Sequence, residues 1–368
     1  MAVRHDEGRI SGPAGAALDA QRWLDEQLAA VVTGQFVDPQ AGKVSFLAYF
    51  DRWSQRQLWT RGTERAMRLA VSCTTFGHVP INLSINRIQR SHIESWIKRL
   101  QTLDRGDGRE RGLAAGTIKT RFNNVRAVFR AAVRDRLIAT DPTDGVRLPR
   151  TRRTDAALVL PTSNQIAALL GAAAPRFRPF LALCAFAGLR LGEAAALRVS
   201  DIDFEQGSVR VSRQVQRERG GGVEIRAPKY GSERVVHASD QLVSLIKDYV
   251  ATYRPTGDAD RWVFEGDGGN PPHQNTVGYW WRLTREAAGC PRLRLHDLRH
   301  FFASGLIAAG CDVVTVQRAL GHSSATVTLN TYAHLWPSAE DRTRLASARL
   351  FADVVGRSDE PLTNDEAA

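Results

Sequence analysis

A charged residue set inside an apolar run restricts a fold more than any apolar residue can, and Arg190 is such a residue. It stands in AGLRLGE (187–193), between a run rich in Ala and Phe and a second apolar stretch, both with the character of buried helix. An arginine there needs fixed partners and a purpose, because an unpaired buried charge is heavily penalised. Two later blocks share this character. LHDLRH (295–300) carries His296 and Arg299, three apart and so on one side of a helix. GHSSATVTLNTY (321–332) carries His322 after Gly321 and ends on Tyr332.

These side chains are the ones a phosphodiester transfer without metal requires. Arg190 and Arg299 can each contact two phosphoryl oxygens and spread the charge of a pentacoordinate phosphorus. Two histidines can move or share protons. A tyrosine hydroxyl, with an ordinary pKa of ~10, attacks phosphorus where a base or local positive charge activates it. Each residue also has a plainer reading. Arg190 could be a surface arginine, but its apolar flanks argue against that. Tyr332 could be a core aromatic, but GHSS before it and LNTYAH around it favour the nucleophile, with Tyr230 a distant second. His300 lies on the same helix face as His296 and reads as a packing or hydrogen-bonding residue.

The order Arg, His-x-x-Arg, Gly-His, Tyr resembles the tyrosine recombinase (phage-type integrase) family. The resemblance covers the C-terminal half strongly and about a hundred residues before it more loosely. It implies a mostly α protein with a small antiparallel β-sheet: a helical core-DNA-binding domain plus a mixed α/β catalytic domain, forming a C-shaped clamp on DNA. It also implies that Arg190, His296, Arg299 and His322 converge on the scissile phosphate and that Tyr332 attacks it. Lys229, in APKYGSERVV (227–236), would then protonate the leaving 5′-oxygen, and Glu193 would buttress Arg190. The implied activity is site-specific recombination through a 3′-phosphotyrosyl intermediate and a Holliday junction, in a phage or other mobile element, with no cofactor and no metal. The implied partners are double-stranded DNA with paired core sites and further copies of the chain in a homotetramer. A DNA-bending host factor or a directionality factor is a further candidate partner.

Other readings stay open at this point. A chromosome-dimer resolvase and a type IB topoisomerase would share the chemistry. His296 and His300 have the i, i+4 spacing of a zinc hydrolase, but Asp297 replaces the expected Glu, Arg299 adds a cation and no third ligand is evident. A DNA-binding protein with a dead catalytic fold is disfavoured by the full set of chemical residues. One departure from the larger integrases concerns the N-terminus. Only nineteen residues precede the first helical pattern, and they show no strand pattern, so an arm-binding domain is expected to be truncated or absent.

Charge points to the same partner. The formal net charge is +11, and residues 85–136 hold thirteen Lys/Arg against five Asp/Glu, leaving +8 in that stretch. The final residues, 351–368, carry one Arg and five acids. A basic block of this kind suits a polyanion, nucleic acid first. Within it, Ile118, Phe122, Val125, Phe129 and Ala132 mark the core stripe of a helix, while Lys119, Arg121, Arg126, Arg130 and Arg134 line its other face as candidate DNA contacts. A capping box is expected at Ser91 and Glu94, ahead of the apolar face Ile93, Trp96, Ile97 and Leu100.

The expected organisation follows. Residues 1–43 form an N-terminal segment with a short amphipathic helix at 20–32. Residues 44–140 form a helical DNA-binding domain and 141–154 a basic linker. Residues 155–356 form the catalytic domain and 357–368 an acidic disordered tail. In the catalytic domain strands are expected at 208–212, 223–227 and 234–237, with Gly220, Gly221 and Gly222 turning between the first two. Cys73, Cys184, Cys290 and Cys311 form no CxxC pair, which fits free thiols in a reducing compartment. No membrane partner is expected, since no apolar run reaches the ~18–20 residues of a membrane span; the expected location is the cytoplasm.

Overall fold

The computed structural model describes residues 40–355 apart from 73–75, 77–82, 103–111, 151–159, 218–221, 229–230 and 338, together with Gln21, Leu24, Asp25, Leu28 and Val32. The chain divides into two compact units, Met1–Ala157 and Leu158–Ala368.

The first unit is helical. Its helices are α1 (Phe46–Ser54), α2 (Arg61–Val71), α3 (Arg90–Thr102) and α4 (Ala115–Arg134). Ser45 and Thr60 cap α1 and α2, accepting the N–H groups of Ala48 and Thr63 at 3.2 and 3.3 Å. Helix α4 buries Ile118, Phe122, Val125, Val128, Phe129 and Ala132, and its stripe meets the aromatic pair Phe46 and Phe76, whose ring centroids lie 4.5 Å apart. Truncating a fully buried ring such as Phe129 to Ala costs about 3–5 kcal/mol.

One expectation in this unit needs correction. Helix α3 begins at Arg90, one residue before the expected cap. Glu94 accepts from the Nε of Arg90 at 3.2 Å, and the Gln89 N–H is satisfied by the His92 ring at 3.0 Å, so a histidine caps the helix in place of the Ser91–Glu94 box. The helix expected at 20–32 is present at Gln21, Leu24, Asp25, Leu28 and Val32, but Leu24, Leu28 and Val32 are exposed. Trp23, Gln27 and Val31 lie outside the described residues.

The second unit is a mixed α/β domain. It runs α5 (Ser163–Ala172), α6 (Arg178–Phe186), α7 (Leu191–Ala195), β1 (Ile202–Asp203), β2 (Ser208–Val211), β3 (Gln214–Arg217), β4 (Val223–Arg226), β5 (Arg234–His237), α8 (Asp240–Tyr253), α9 (Gln274–Ala287), α10 (Asp297–Ala308), α11 (Val313–Leu320), α12 (Ala325–Tyr332) and α13 (Ala339–Val355). From Pro179 to Ala185 helix α6 is apolar on every side and is buried accordingly, against α5, α7, α8 and α10.

Among the described residues there are two sheets where one was expected. Strands β1, β2 and β5 form an antiparallel three-stranded sheet, and β3 and β4 a separate hairpin. The glycine run therefore lies between β3 and β4, not between β2 and β4. Strand β3 escaped the sequence reading because QVQR offers one apolar residue. Its place is set by register, with Val215 opposite Ile225, and by α7 lying against it. Gly192 makes that approach possible: a Cβ there would stand 2.7 Å from the Val215 carbonyl oxygen. The helix that follows Arg190 is thus seated directly on the hairpin.

Cys184 and Cys290 are buried and free, Cys311 is free and half-buried, and burial pushes the Cys184 thiol up to about 12. Cys73 lies outside the described residues. Among the described residues no helix is long and apolar enough to cross a membrane.

Candidate active site

Glu193 organises the site. It is 2% exposed and sits in the first turn of α7, where one carboxylate oxygen takes the Arg190 backbone N–H at 3.0 Å and the other takes the Arg190 guanidinium at 2.7 Å. The same carboxylate accepts Nη2 of Arg234 from β5 at 2.8 Å. Burial opposes its charge, but the hydrogen bond from Arg234 and the charges of Arg234 and Arg190 win, holding its pKa down to about 2. The carboxylate is therefore ionised and clamps two guanidiniums. Arg190 keeps 30% of its side chain exposed, so it is anchored on one side and open on the other.

Arg190 reaches a second partner, the Gly321 carbonyl, at 3.2 Å. Gly321 ends α11 in the left-handed conformation at φ +61°, and a Cβ there would press to 2.9 Å from the Arg234 guanidinium. Glycine is thus demanded twice, by backbone and by space. Arg234 also donates to the Ala319 carbonyl at 2.9 Å, tying β5 to the end of α11.

Arg299 is 2% exposed on α10 and donates to the carbonyls of Gly188 and Leu320. Burial first, and the nearby charge of Arg190 second, lower its pKa to about 9. It remains charged at neutral pH, held by backbone dipoles rather than by a carboxylate of its own.

The histidines lie in this positive field. His322 is fixed by its Nδ1 on the Thr328 hydroxyl at 2.9 Å. Burial, then Arg299, Arg190 and Arg234, push its pKa down to about 4. His296 precedes α10 as its cap residue, not as a helical residue, and exposes more of itself than Arg299 does. Partial burial, His300 and the two arginines take its pKa to about 4 as well. Both rings are neutral at pH 7 until an anion arrives. Tyr332, at the end of α12, is 1% exposed, and burial raises its pKa to about 12 against the pull of Arg299. Its hydroxyl lies 2.6 Å from the Nδ1 of His300.

The five residues of the three sequence blocks are thus brought into one electrostatic neighbourhood. Lys229 and Tyr230 lie outside the described residues. Two contributors, Arg234 and Thr328, went unforeseen. Arg234 was read only as a strand residue, and no spacing rule marks it. Thr328 is fixed by its turn around His322. His300 was visible as the i+4 partner of His296, and the rings do meet, at 4.9 Å between centroids, but its bond to Tyr332 depends on where α12 ends. Among the described residues no three His, Cys, Asp or Glu side chains gather as a metal site, and Nδ1 of His300 faces Tyr332.

In the other unit, Lys119, Arg130 and Arg134 are exposed on α4, and Arg121 is half-buried. Arg126 pairs with Asp144 at 2.6 Å and lies near Asp141 at 3.9 Å.

Residues 161–338 match the phage integrase family model. A tyrosine recombinase of Thermosipho africanus is 27% identical over 260 residues, which is 69% of this chain and 83% of that protein. The tyrosine recombinase XerC of Bacillus pumilus is 28% identical over 233 residues, 61% of this chain and 72% of that one. Among solved structures, the Tn1549 transposon integrase in complex with transposon right end DNA aligns with a TM-score of 0.67 and 21% identity over 83% of this chain and 99% of its own. A lambda integrase dimer bound to a core site aligns at 0.56 and 15% identity, over 88% and 81%. Through residues 161–338 the chain belongs to the tyrosine recombinase (phage integrase) family, enzymes that cut and rejoin DNA.

Proposed function

We propose that this protein is the site-specific recombinase of a phage or other mobile element and that Tyr332 is its nucleophile. The tyrosine oxygen attacks a DNA phosphate and forms a 3′-phosphotyrosyl enzyme, releasing a 5′-hydroxyl. The 5′-hydroxyl of a partner strand then reverses the step. The bond energy is kept in the phosphotyrosine, so rejoining needs no nucleotide triphosphate. Arg190, Arg299, His296 and His322 hold the phosphate, and Lys229 protonates the leaving oxygen. Lys119, Arg121, Arg130 and Arg134 contact the backbone of the duplex.

The observation that carries this reading is the clamp of Glu193 on Arg190 and Arg234 beside buried Arg299, a preorganised positive site next to Tyr332. Fixed charge of this kind stabilises a developing phosphorane without reorganisation. The test is a nicked suicide substrate, whose short 5′ fragment diffuses away and traps the adduct. Tyr332→Phe is expected to bind DNA as the parent does and to form no adduct. An adduct mapped to Tyr230 by peptide mass would overturn the assignment.

The mobile-element setting draws support from transposase A of transposon Tn554 of Staphylococcus aureus, 34% identical over 154 residues, 40% of each chain. The XerC relatives favour a second reading, a chromosome-dimer resolvase. Attachment-site repeats flanking the gene would mark the first, and their absence beside a chromosomal dimer-resolution site the second.

A tetramer on two DNA sites, working in the cytoplasm, completes the proposal. Helix α13 leaves Leu345, Leu350, Phe351 and Val354 exposed, a surface for a neighbouring copy. Truncation after Trp336 is expected to spare binding to one site and weaken synapsis in gel-shift assays; normal recombination by the truncated chain would remove α13 from the assembly.

A further inference from the structure

We propose that Nδ1 of His300 holds the Tyr332 hydroxyl in place and takes its proton as the oxygen attacks phosphorus. The proposal rests on the reading of Tyr332 as nucleophile and adds the base that reading lacks.

The argument begins with geometry. The 2.6 Å contact between Nδ1 and the hydroxyl is a short hydrogen bond. The rings stand 5.6 Å apart between centroids at 63°, so an edge of the imidazole faces the phenol. Tyr332 is 1% exposed, which leaves bulk water little access to its proton. Among the described residues no other side chain is hydrogen-bonded to the Tyr332 hydroxyl. Nδ1 of His322 is taken by Thr328, and the guanidiniums of Arg190 and Arg299 have no lone pair to offer.

Charge state agrees with geometry. Burial, then Arg299 and Arg294, lower the His300 pKa, with Asp297 pulling the other way. The ring is therefore neutral at pH 7 and its Nδ1 can accept, in the tautomer that carries its proton on Nε2. The phenol, raised to about 12, is protonated and needs an acceptor. Asp297 is 4% exposed at the start of the same helix, and its charge steadies the imidazolium once formed.

The step balances as follows. The bond from the Tyr332 oxygen to phosphorus forms as its O–H bond breaks and the proton passes to Nδ1. The bond from phosphorus to the 5′-oxygen breaks, and that oxygen leaves with the electron pair and is protonated by the acid assigned to Lys229. On rejoining, a 5′-hydroxyl attacks and gives its proton back to the group assigned as acid, while the tyrosine oxygen leaves and takes its proton back from His300.

The experiment is single-turnover cleavage of the nicked suicide substrate by the full chain, with DNA binding and thermal melting measured alongside. His300→Asn keeps an acceptor near the position of Nδ1 but takes no proton; His300→Ala removes both. Each variant is expected to bind DNA normally and to cleave about 100- to 10,000-fold more slowly, the usual range for a positioned base. Replacing Tyr332 with a fluorinated tyrosine of much more acidic hydroxyl is expected to suppress most of that loss, since an ionised nucleophile needs no base. Parent-like cleavage by His300→Asn would overturn the proposal, as would faster cleavage, which would make His300 only a restraint. Equal loss with tyrosine and fluorotyrosine would overturn it too, leaving a packing role. A parent enzyme that forms no adduct at all would instead sink the reading of Tyr332 itself.

Discussion

The arginines of α4 and those around Glu193 are the same residue in opposite settings. Arg130 and Arg134 stand exposed on a helix whose other face is core. Arg299 and Arg234 are almost wholly buried, with 2% of the first residue and 6% of the second side chain exposed, and each is tied to carbonyls or a carboxylate. An exposed guanidinium is screened by salt and free to follow the DNA backbone. A buried, hydrogen-bonded one acts as a fixed charge in a medium of low dielectric. In the proposed function the first kind would serve affinity and the second the transition state, so the two regions should answer differently to substitution, pH and salt.

The largest difference is expected from Arg299→Ala. Loss of one transition-state donor is typically worth ~3–4 kcal/mol, or ~100- to 1,000-fold in rate, while the salt dependence of DNA binding should stay as in the parent. Single-turnover cleavage and a salt titration of affinity check both halves. A rate loss accompanied by a shallower salt slope would mean that Arg299 behaves as a surface arginine and the contrast fails.

Stability against pH probes the buried side alone. The folded-state pKa of Glu193 is depressed to about 2 from 4.5, so its contribution is complete above 4.5 and is lost as pH falls toward 2. That shift is worth about 3 kcal/mol. His296 and His322 are also depressed, to about 4 from 6.5, so they add a loss of stability between pH 6.5 and 4. Melting temperature should therefore fall in two stages on acidification. Glu193→Gln should remove the lower stage and lower stability at pH 7, because it leaves Arg234 buried without its charge partner. An unaltered acid limb in that variant would show that the clamp does not carry the charge assigned to it.

The smallest effect sharpens the exposed side. Arg130→Ala should reduce the slope of log affinity against log salt by about 0.9, the value for one phosphate contact. Arg126→Ala should change it less, because Arg126 is already paired with Asp144. Equal slopes for the two variants would mean that Asp144 gives up Arg126 on binding DNA.

Where the sequence was legible, its signal was local or chemical. The buried stripe from Ile118 to Ala132 follows from the 3.6-residue period. Strand β5 begins and ends at the expected residues, 234–237. Where it failed, the answer lay across the chain. A serine and a glutamate three apart suggested a cap at Ser91, but Arg90 claimed the glutamate and His92 the Gln89 N–H. Strand β3 has too few apolar residues to announce itself, and only pairing with β4 makes it a strand.

The same division runs through the candidate site. Residue type and order alone picked out Arg190, His296, Arg299, His322 and Tyr332, because few side chains can carry positive charge, shuttle protons or attack phosphorus, and each stood in a context that made it unusual. Tertiary structure decided what surrounds them: that Arg234 shares Glu193 with Arg190, that backbone carbonyls from Gly188 and Leu320 hold Arg299, and that His300 meets Tyr332. These contacts join residues between 21 and 111 positions apart, and spacing within one helix or strand carries no information about which distant segment will supply a partner. The candidate chemistry was legible because it belongs to side-chain type; pKa and position were not, because both belong to neighbours.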